Sequence, residues 1–314
     1  MIYALFWVGL LALIVKTSDL YPELNDIHGT SDEAYAFFVC VRPDANPSDQ
    51  FLFYALSHSI QRINEIQKSK RNTKKRDIVV LVCNLTSEAQ VESMKQFGAI
   101  VVNVDAFSVP GTLLKSYIDV NTKFHFWRLT NWKRLLYMDI DIFFREKALK
   151  IWDEPATQSK PILKNITDHN LTISSYVFAA VVDLCCRLPI PQHPHPNGTY
   201  FNSGVFMFNP SMDLFELIIK TMHAHTEDLV FPDQDVLNLV FSLNSSMPWN
   251  FLDWNYNRFG REATDDKLND NIMCIHRKLW DTNLAKSSNT SKASVMWYES
   301  YNFLKSDRFL HKIN

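Results

Sequence analysis

The chain has 314 residues and a formal net charge of −2, from 32 basic and 34 acidic side chains. That balance lacks the basic excess of a general nucleic-acid binder. With 46% hydrophobic and 21% charged residues it is not a disordered chain, and seven glycines exclude collagen-like and glycine-rich linker classes.

Ile2 to Val15 is apolar throughout and stops at Lys16. A spanning helix wants about 20 apolar residues, so the run is short for one. It reads as a signal-anchor or a signal peptide, the anchor being favoured, over residues 1–16. Residues 17–33 are polar, with Pro22 and Gly29, and read as a stem. Either form of leader puts the bulk of the chain outside the cytosol. The expected address is the Golgi or ER membrane, single-pass with the domain in the lumen, or else secretion. Six N-x-S/T sequons agree with it: Asn84, Asn165, Asn170, Asn197, Asn244 and Asn289.

Strand-like and helix-like segments then alternate. Ala36 to Val41 and Ile78 to Cys83 are short apolar runs, expected to be buried strands. Between them, Phe51 to Ile66 has apolar residues at helical spacing after Pro47-Ser48-Asp49, a helix start. Ser87 and Gln90 form a capping box for a helix to Phe97, which Gly98 closes. Ala99 to Val104 is a third strand. Thr122 to Trp132 is expected to be a helix, and Leu135 to Met138 a fourth strand. This alternation predicts an α/β fold with a mostly parallel sheet flanked by helices. Later, Leu184 to Asn197 carries four prolines and reads as a loop. Phe201 to Phe208 reads as a strand, and Leu214 to Ala224 and Val236 to Phe241 as helices. No boundary divides residues 34–314, which are expected to form one domain.

Five cysteines include no C-x-x-C pair. Cys40 and Cys83 lie in apolar runs and read as small core residues. Cys185, Cys186 or Cys274 are the candidates for pairing in an oxidising lumen. The basic run Lys68 to Arg76 reads as a solvated loop.

Four segments carry candidate chemistry. Asp139 and Asp141 follow an apolar strand, and alternate residues on a strand share a face. Two adjacent carboxylates need a cation or hydrogen bonds. At the end of a strand in an open α/β sheet, a hard divalent ion that also grips phosphates is the natural occupant. Asn202, Ser203 and Gly204 open the next block, where Gly204 permits close approach to backbone. Asp233, Gln234 and Asp235 precede an apolar helical run, and first-turn acids are favourable there by themselves. His276 follows Ile272 to Ile275.

Together, in this order, TKFHFWRLTNWKRLLYMDIDIFF, FNSGVFMFNPS, DQDVLN and IHRKLW resemble the glycogenin-like, family 8 retaining glycosyltransferases. The resemblance spans roughly Ala36 to Trp280. It implies a GT-A fold over residues 34–314, a UDP-sugar donor, and manganese or magnesium. It places Asp139, Asp141 and His276 on the metal. Lys123, Asn202, Ser203, Asp139, Ile140 and Lys278 would bind the donor, and Asp233 and Gln234 would lie beside the anomeric carbon. The expected function is transfer of a hexose-type sugar to a glycan, glycoprotein or glycolipid acceptor in the secretory pathway. The terminal block lacks the family's Gly and Pro, and its His276–Lys278 spacing is shorter. No tyrosine near Phe259 matches the self-glucosylated one of glycogenin, which points away from glycogen priming. The competing reading is a non-catalytic lumenal relative that binds sugar or a partner. A haloacid-dehalogenase-type phosphatase would need Thr or Val four residues after Asp139, where Phe143 stands.

Overall fold

The computed structural model describes residues 20–40, 47–69, 74–107, 119–163, 171–183, 198–226, 229–259, 270–277 and 297. The apolar segment 2–15, the loop 184–197, Lys278, Cys185, Cys186 and four of the sequons lie outside the described residues. Among the described residues no helix is long and apolar enough to cross a membrane.

The strands are β1 (Glu33–Val39), β2 (Asp77–Cys83), β3 (Ile100–Val104), β4 (Arg134–Met138), β5 (Ile142–Phe144), β6 (Lys160–Pro161), β7 (Ser175–Tyr176), β8 (Phe178–Val182), β9 (Phe201–Phe208), β10 (Asn250–Phe251), β11 (Arg258–Phe259) and β12 (Cys274–His276). The α-helices are α1 (Pro47–Ser69), α2 (Glu88–Gln96), α3 (Met212–Ala224) and α4 (Pro232–Val240). The main sheet has seven strands in the order β10-β8-β9-β4-β1-β2-β3. β4, β1, β2 and β3 are mutually parallel, as is β10 with β8, while β9 runs antiparallel to both neighbours. The mostly parallel α/β expectation therefore holds.

Both faces of this sheet are covered, which is why its strands read as unbroken apolar runs. Along β1, Ala34 and Ala36 enter one core with Val79, Leu81, Phe124, Trp127 and Phe215. Tyr35 and Phe37 enter the other with Leu56, Ile60, Ile63, Val80 and Trp152. Side chains that alternate along one strand thus bind two helical layers to one sheet.

The Ser87–Gln90 capping box is present, and Gly98 closes α2 at φ +85°. In place of the α-helix expected over Thr122 to Trp132, a 3-10 helix spans Val120–Arg128. Asn121 to Arg128 are all buried. An amphipathic α-helix needs a solvated face, and this segment has none to offer.

The cysteine expectation is also corrected. Cys40 and Cys83 form a disulfide, with Cα atoms 5.1 Å apart. The register explains it: Val39 pairs with Val82 across parallel β1 and β2, so the next two residues are neighbours. Cys274 is buried and free, so it is not a disulfide partner here.

At the opposite end of β1, Glu33 is buried and gathers Arg76, Arg134 and Lys74. Burial alone would raise its pKa, but the hydrogen bond and charge of Arg134, then Arg76, hold it below the usual glutamate value. Removing one member of a buried charge cluster costs about 3–5 kcal/mol. Glu33→Gln is accordingly expected to lose about that much stability at pH 7, read from urea unfolding. A depressed carboxylate stabilises above its unfolded value and loses this as pH falls through the folded one. The gap between the two proteins should therefore close in acid.

Candidate active site

The candidate site forms at the carboxyl end of β4, where strand order turns from β1 to β4 and the chain doubles back. Ligands of open α/β sheets bind in such crevices. Because β9 is antiparallel to β4, its first residues lie beside the last of β4: Met138 pairs with Val205, and the Asp139 N–H donates to the Gly204 carbonyl (2.8 Å). The sequence-distant blocks Asp139–Asp141 and Asn202–Gly204 are joined by backbone.

His276 arrives from a second, three-stranded sheet. In β12 it pairs with Ile142 of antiparallel β5, and the Arg277 N–H donates to the Asp141 carbonyl (3.0 Å). Its Nε2 then lies 3.2 Å from Asp141 Oδ1 and 3.8 Å from Asp139 Oδ2. One ligand atom from each of Asp139, Asp141 and His276 falls within 4.8 Å of the others. Two carboxylates and an imidazole at that spacing suit a divalent ion such as manganese or magnesium. Burial would push the His276 pKa down, but Asp141 and then Asp139 outweigh it and the value is raised.

The 3-10 helix supplies Lys123, which is buried. Its Nζ is 2.7 Å from Asp233 Oδ2, 3.5 Å from Asp139 Oδ1 and 4.5 Å above the Tyr137 ring. Burial would lower its pKa, yet Asp139 and Asp233 hold it well above the usual lysine value. Lys123 is thus a fixed cation linking the first and third motifs. The Tyr137 hydroxyl donates to Asp139 Oδ1 (2.7 Å).

Helix α4 begins at Pro232, four residues before the expected Val236, so Asp233 and Gln234 sit in its first turn. Asn238 clamps the helix to β9: its Oδ1 accepts from the Phe201 N–H and its Nδ2 donates to the Phe201 carbonyl, both at 2.9 Å. Asp235 caps the turn by accepting from the N–H groups of Val230 (2.7 Å) and Phe231 (2.8 Å), a structural role. Asp233 Oδ2 accepts from Ser203 Oγ (2.7 Å) as well as Lys123. Its Oδ1 has no hydrogen bond among the described residues. Gln234 is engaged at both ends: Oε1 accepts from the Ser203 N–H (3.0 Å) and Asn202 Nδ2 (3.1 Å), and Nε2 donates to Asp183 Oδ2 (2.9 Å).

The structure therefore gathers Lys123, Asp139, Asp141, Asn202, Ser203, Asp233, Gln234 and His276. Ile140 is half-buried and lines a cavity with Phe38, Val39, Cys40 and Lys123. Sequence reasoning missed Asp183, at the end of β8, and Asn257. Asp183 follows the apolar run Phe178–Val182, an acid after a strand like Asp139, and that signal could have found it. Asn257 lies in no apolar or acidic motif, and only the packing of β11 against β12 brings it in.

A protein-family model described as glycosyl transferase family 8 matches residues 6–277. Galactinol synthase 1 of Ajuga reptans is 22% identical over 240 residues, covering 65% of this chain and 71% of that protein. UDP-glucuronate:xylan alpha-glucuronosyltransferase 1 of Arabidopsis thaliana is 24% identical over 189 residues, covering 59% of this chain and 23% of that larger protein. Among solved structures, galactosyltransferase LgtC, in complex with donor and acceptor sugar analogues, superposes with a TM-score of 0.60 at 15% identity. That match covers 86% of this chain and 95% of the other, and it supports a shared GT-A-like fold. A motif set that meets at one strand end, a fold shared with a glycosyltransferase, and a family match over most of the length agree: the chain belongs to glycosyl transferase family 8, whose members move sugars.

Proposed function

We propose that this glycosyltransferase moves a hexose-type sugar, with retained anomeric configuration, from a UDP-sugar to a glycan, protein or lipid acceptor. The observation that carries the proposal is the meeting of Asp139, Asp141 and His276 with the Lys123–Asp233–Ser203 cluster at one strand end. The xylan glucuronosyltransferase is named for a UDP-sugar donor, which supports the nucleotide proposed here.

Asp139, Asp141 and His276 would hold the divalent cation. When bound, such an ion supplies charge to offset the diphosphate of departing UDP. Lys123 brings a second, permanent positive charge to the same side. It also fixes Asp233, whose Oδ2 is doubly hydrogen-bonded while Oδ1 stays available. A carboxylate oriented in this way can stabilise the oxocarbenium-like sugar of glycosyl transfer. Gln234 and Asn202 tie Asp183 to Ser203, which holds Asp233. The test is a panel of UDP-sugars with manganese, reading UDP release from the full chain. One donor should stand well above the rest. Nucleotide binding with no release from any donor, at any acceptor tried, would favour a sugar- or partner-binding role.

We further propose that the domain works in the secretory pathway. The Cys40–Cys83 disulfide supports this, since such bonds persist in oxidising compartments. So do Asn84 and Asn244, both exposed sequons. Expressed in a eukaryotic host, the protein should lose mass on glycosidase treatment and carry one protected cysteine pair. A single unglycosylated, fully reduced species would remove this address.

A further inference from the structure

We propose that Asn257 is a positioning residue that sets the tautomer of His276, so that Nε2 faces Asp139 and Asp141 with its lone pair free. The proposal rests on the reading that these three residues hold a divalent cation. Asn257 is 2% exposed and follows the short 3-10 helix Trp254–Tyr256.

The direction of each hydrogen bond is dictated by groups whose role is not adjustable. The Gly204 backbone N–H can only donate, and it donates to Asn202 Oδ1 (3.0 Å). At the other end of the same amide, Asn202 Nδ2 meets the Asp183 carboxylate (3.3 Å) and Gln234 Oε1 (3.1 Å). That Gln234 oxygen is itself identified by the Ser203 N–H that donates to it. Asn202 therefore turns its oxygen toward Asn257. The Asn257 atom 2.8 Å from it must be Nδ2, a donor. Asn257 Oδ1 is then left for His276 Nδ1, 2.9 Å away. An amide oxygen only accepts, so Nδ1 carries the proton. In a neutral imidazole this leaves Nε2 as the acceptor, the form a metal requires.

Gly204 completes the seat. A Cβ on it would lie 2.4 Å from His276 Cε1 and 2.7 Å from Nδ1, so the ring rests directly on this glycine. The Asn202-Ser203-Gly204 block thus acts on His276 twice, by hydrogen-bond relay and by leaving room. A plain structural tie would not care which ring nitrogen is protonated.

That difference is measurable. Two-bond 1H–15N spectra of the His276 ring, in the full chain with magnesium, should show the Nδ1–H form. Asn257→Leu removes the acceptor while keeping the volume. Asp141 then competes for the ring proton, and the Nε2–H form should grow. Manganese alone, titrated by electron paramagnetic resonance, should bind this variant about 10- to 100-fold more weakly, as for other partners of ligating histidines. Asn257→Asp restores an acceptor for Nδ1–H, so its tautomer and manganese affinity should lie closer to wild type than to the leucine variant. If Asn257→Leu does not fold, the aspartate variant still decides the matter: an Nε2–H ring there overturns the proposal. So does an Nε2–H ring in the wild type, or unchanged manganese affinity in a folded leucine variant. A wild-type chain that takes up no manganese overturns the metal reading itself.

Discussion

Asp233→Asn is expected to lower sugar transfer about 100- to 1,000-fold while UDP still binds, the size of loss seen when one preorganised electrostatic group is removed. The shape of the side chain is kept and its charge is not. Asp233 Oδ2 is held by Lys123 and Ser203, and asparagine can still accept from Ser203. Lys123 retains Asp139 at 3.5 Å, so the buried cation is not stranded and the site should stay assembled. On the proposed reading the other oxygen of Asp233 would lose its charge on the side where positive charge develops on the sugar. The nucleotide, on the same reading, would lie along the Asp139–Asp141 strand end and the cavity lined by Phe38 and Ile140, which Asp233 does not line. Binding and turnover should therefore separate. Calorimetry gives the UDP affinity and single-turnover transfer gives the rate. Losses of equal size in both would mean that Asp233 shapes the site instead of acting on the sugar.

The parts of this molecule that could be read in advance are those where one local pattern answers one physical need. The runs around Phe37 and Val80 are apolar on both sides because helices cover both faces of the sheet, and they read as strands. Ser87 and Gln90 satisfy each other's backbone, and they read as a cap. Asp139 and Asp141 stand out because two carboxylates after an apolar strand call for a cation. The features that escaped depend on register between segments far apart in the chain. Cys40 and Cys83 each look like core residues, and only the pairing of Val39 with Val82 makes them a bridge. The helix expected from Thr122 was too regular a guess, because aromatic residues there are packed on every side. Asn257 sits in an irregular stretch with no periodicity, yet it touches both Asn202 and His276. Polar relays of this kind leave no spacing to recognise.

Asp141→Asn is expected to abolish manganese-dependent UDP binding, with manganese affinity down by more than about 100-fold, beyond the loss typical of an outer-shell partner. The backbone of this segment is held independently of the carboxylate. The Asp141 carbonyl accepts from Arg277 N–H, and Ile142 N–H donates to the Asp139 carbonyl at 3.0 Å. The fold should survive. From sequence alone, removing one of two facing carboxylates suggests unchanged or higher stability without metal. The position of His276 changes that sign. Its Nε2 stands 3.2 Å from Asp141 and 3.8 Å from Asp139, so the two acids share a cation when the ring is protonated. Although burial opposes the charged ring, Asp141 and Asp139 raise its pKa above the ordinary histidine value of about 6.5. A raised value stabilises the fold fully below the unfolded pKa, and the gain fades as pH rises through the folded one. In chelator at pH 6, Asp141→Asn should therefore melt below wild type. Well above the folded value the ring is neutral in both proteins, and the difference should shrink or reverse as the repulsion between Asp139 and Asp141 is relieved. Thermal unfolding across that range, paired with UDP calorimetry with and without manganese, reads both effects. A variant that keeps wild-type manganese dependence removes Asp141 from the metal site, and a metal-free melting difference that does not vary with pH removes His276 from between the two acids.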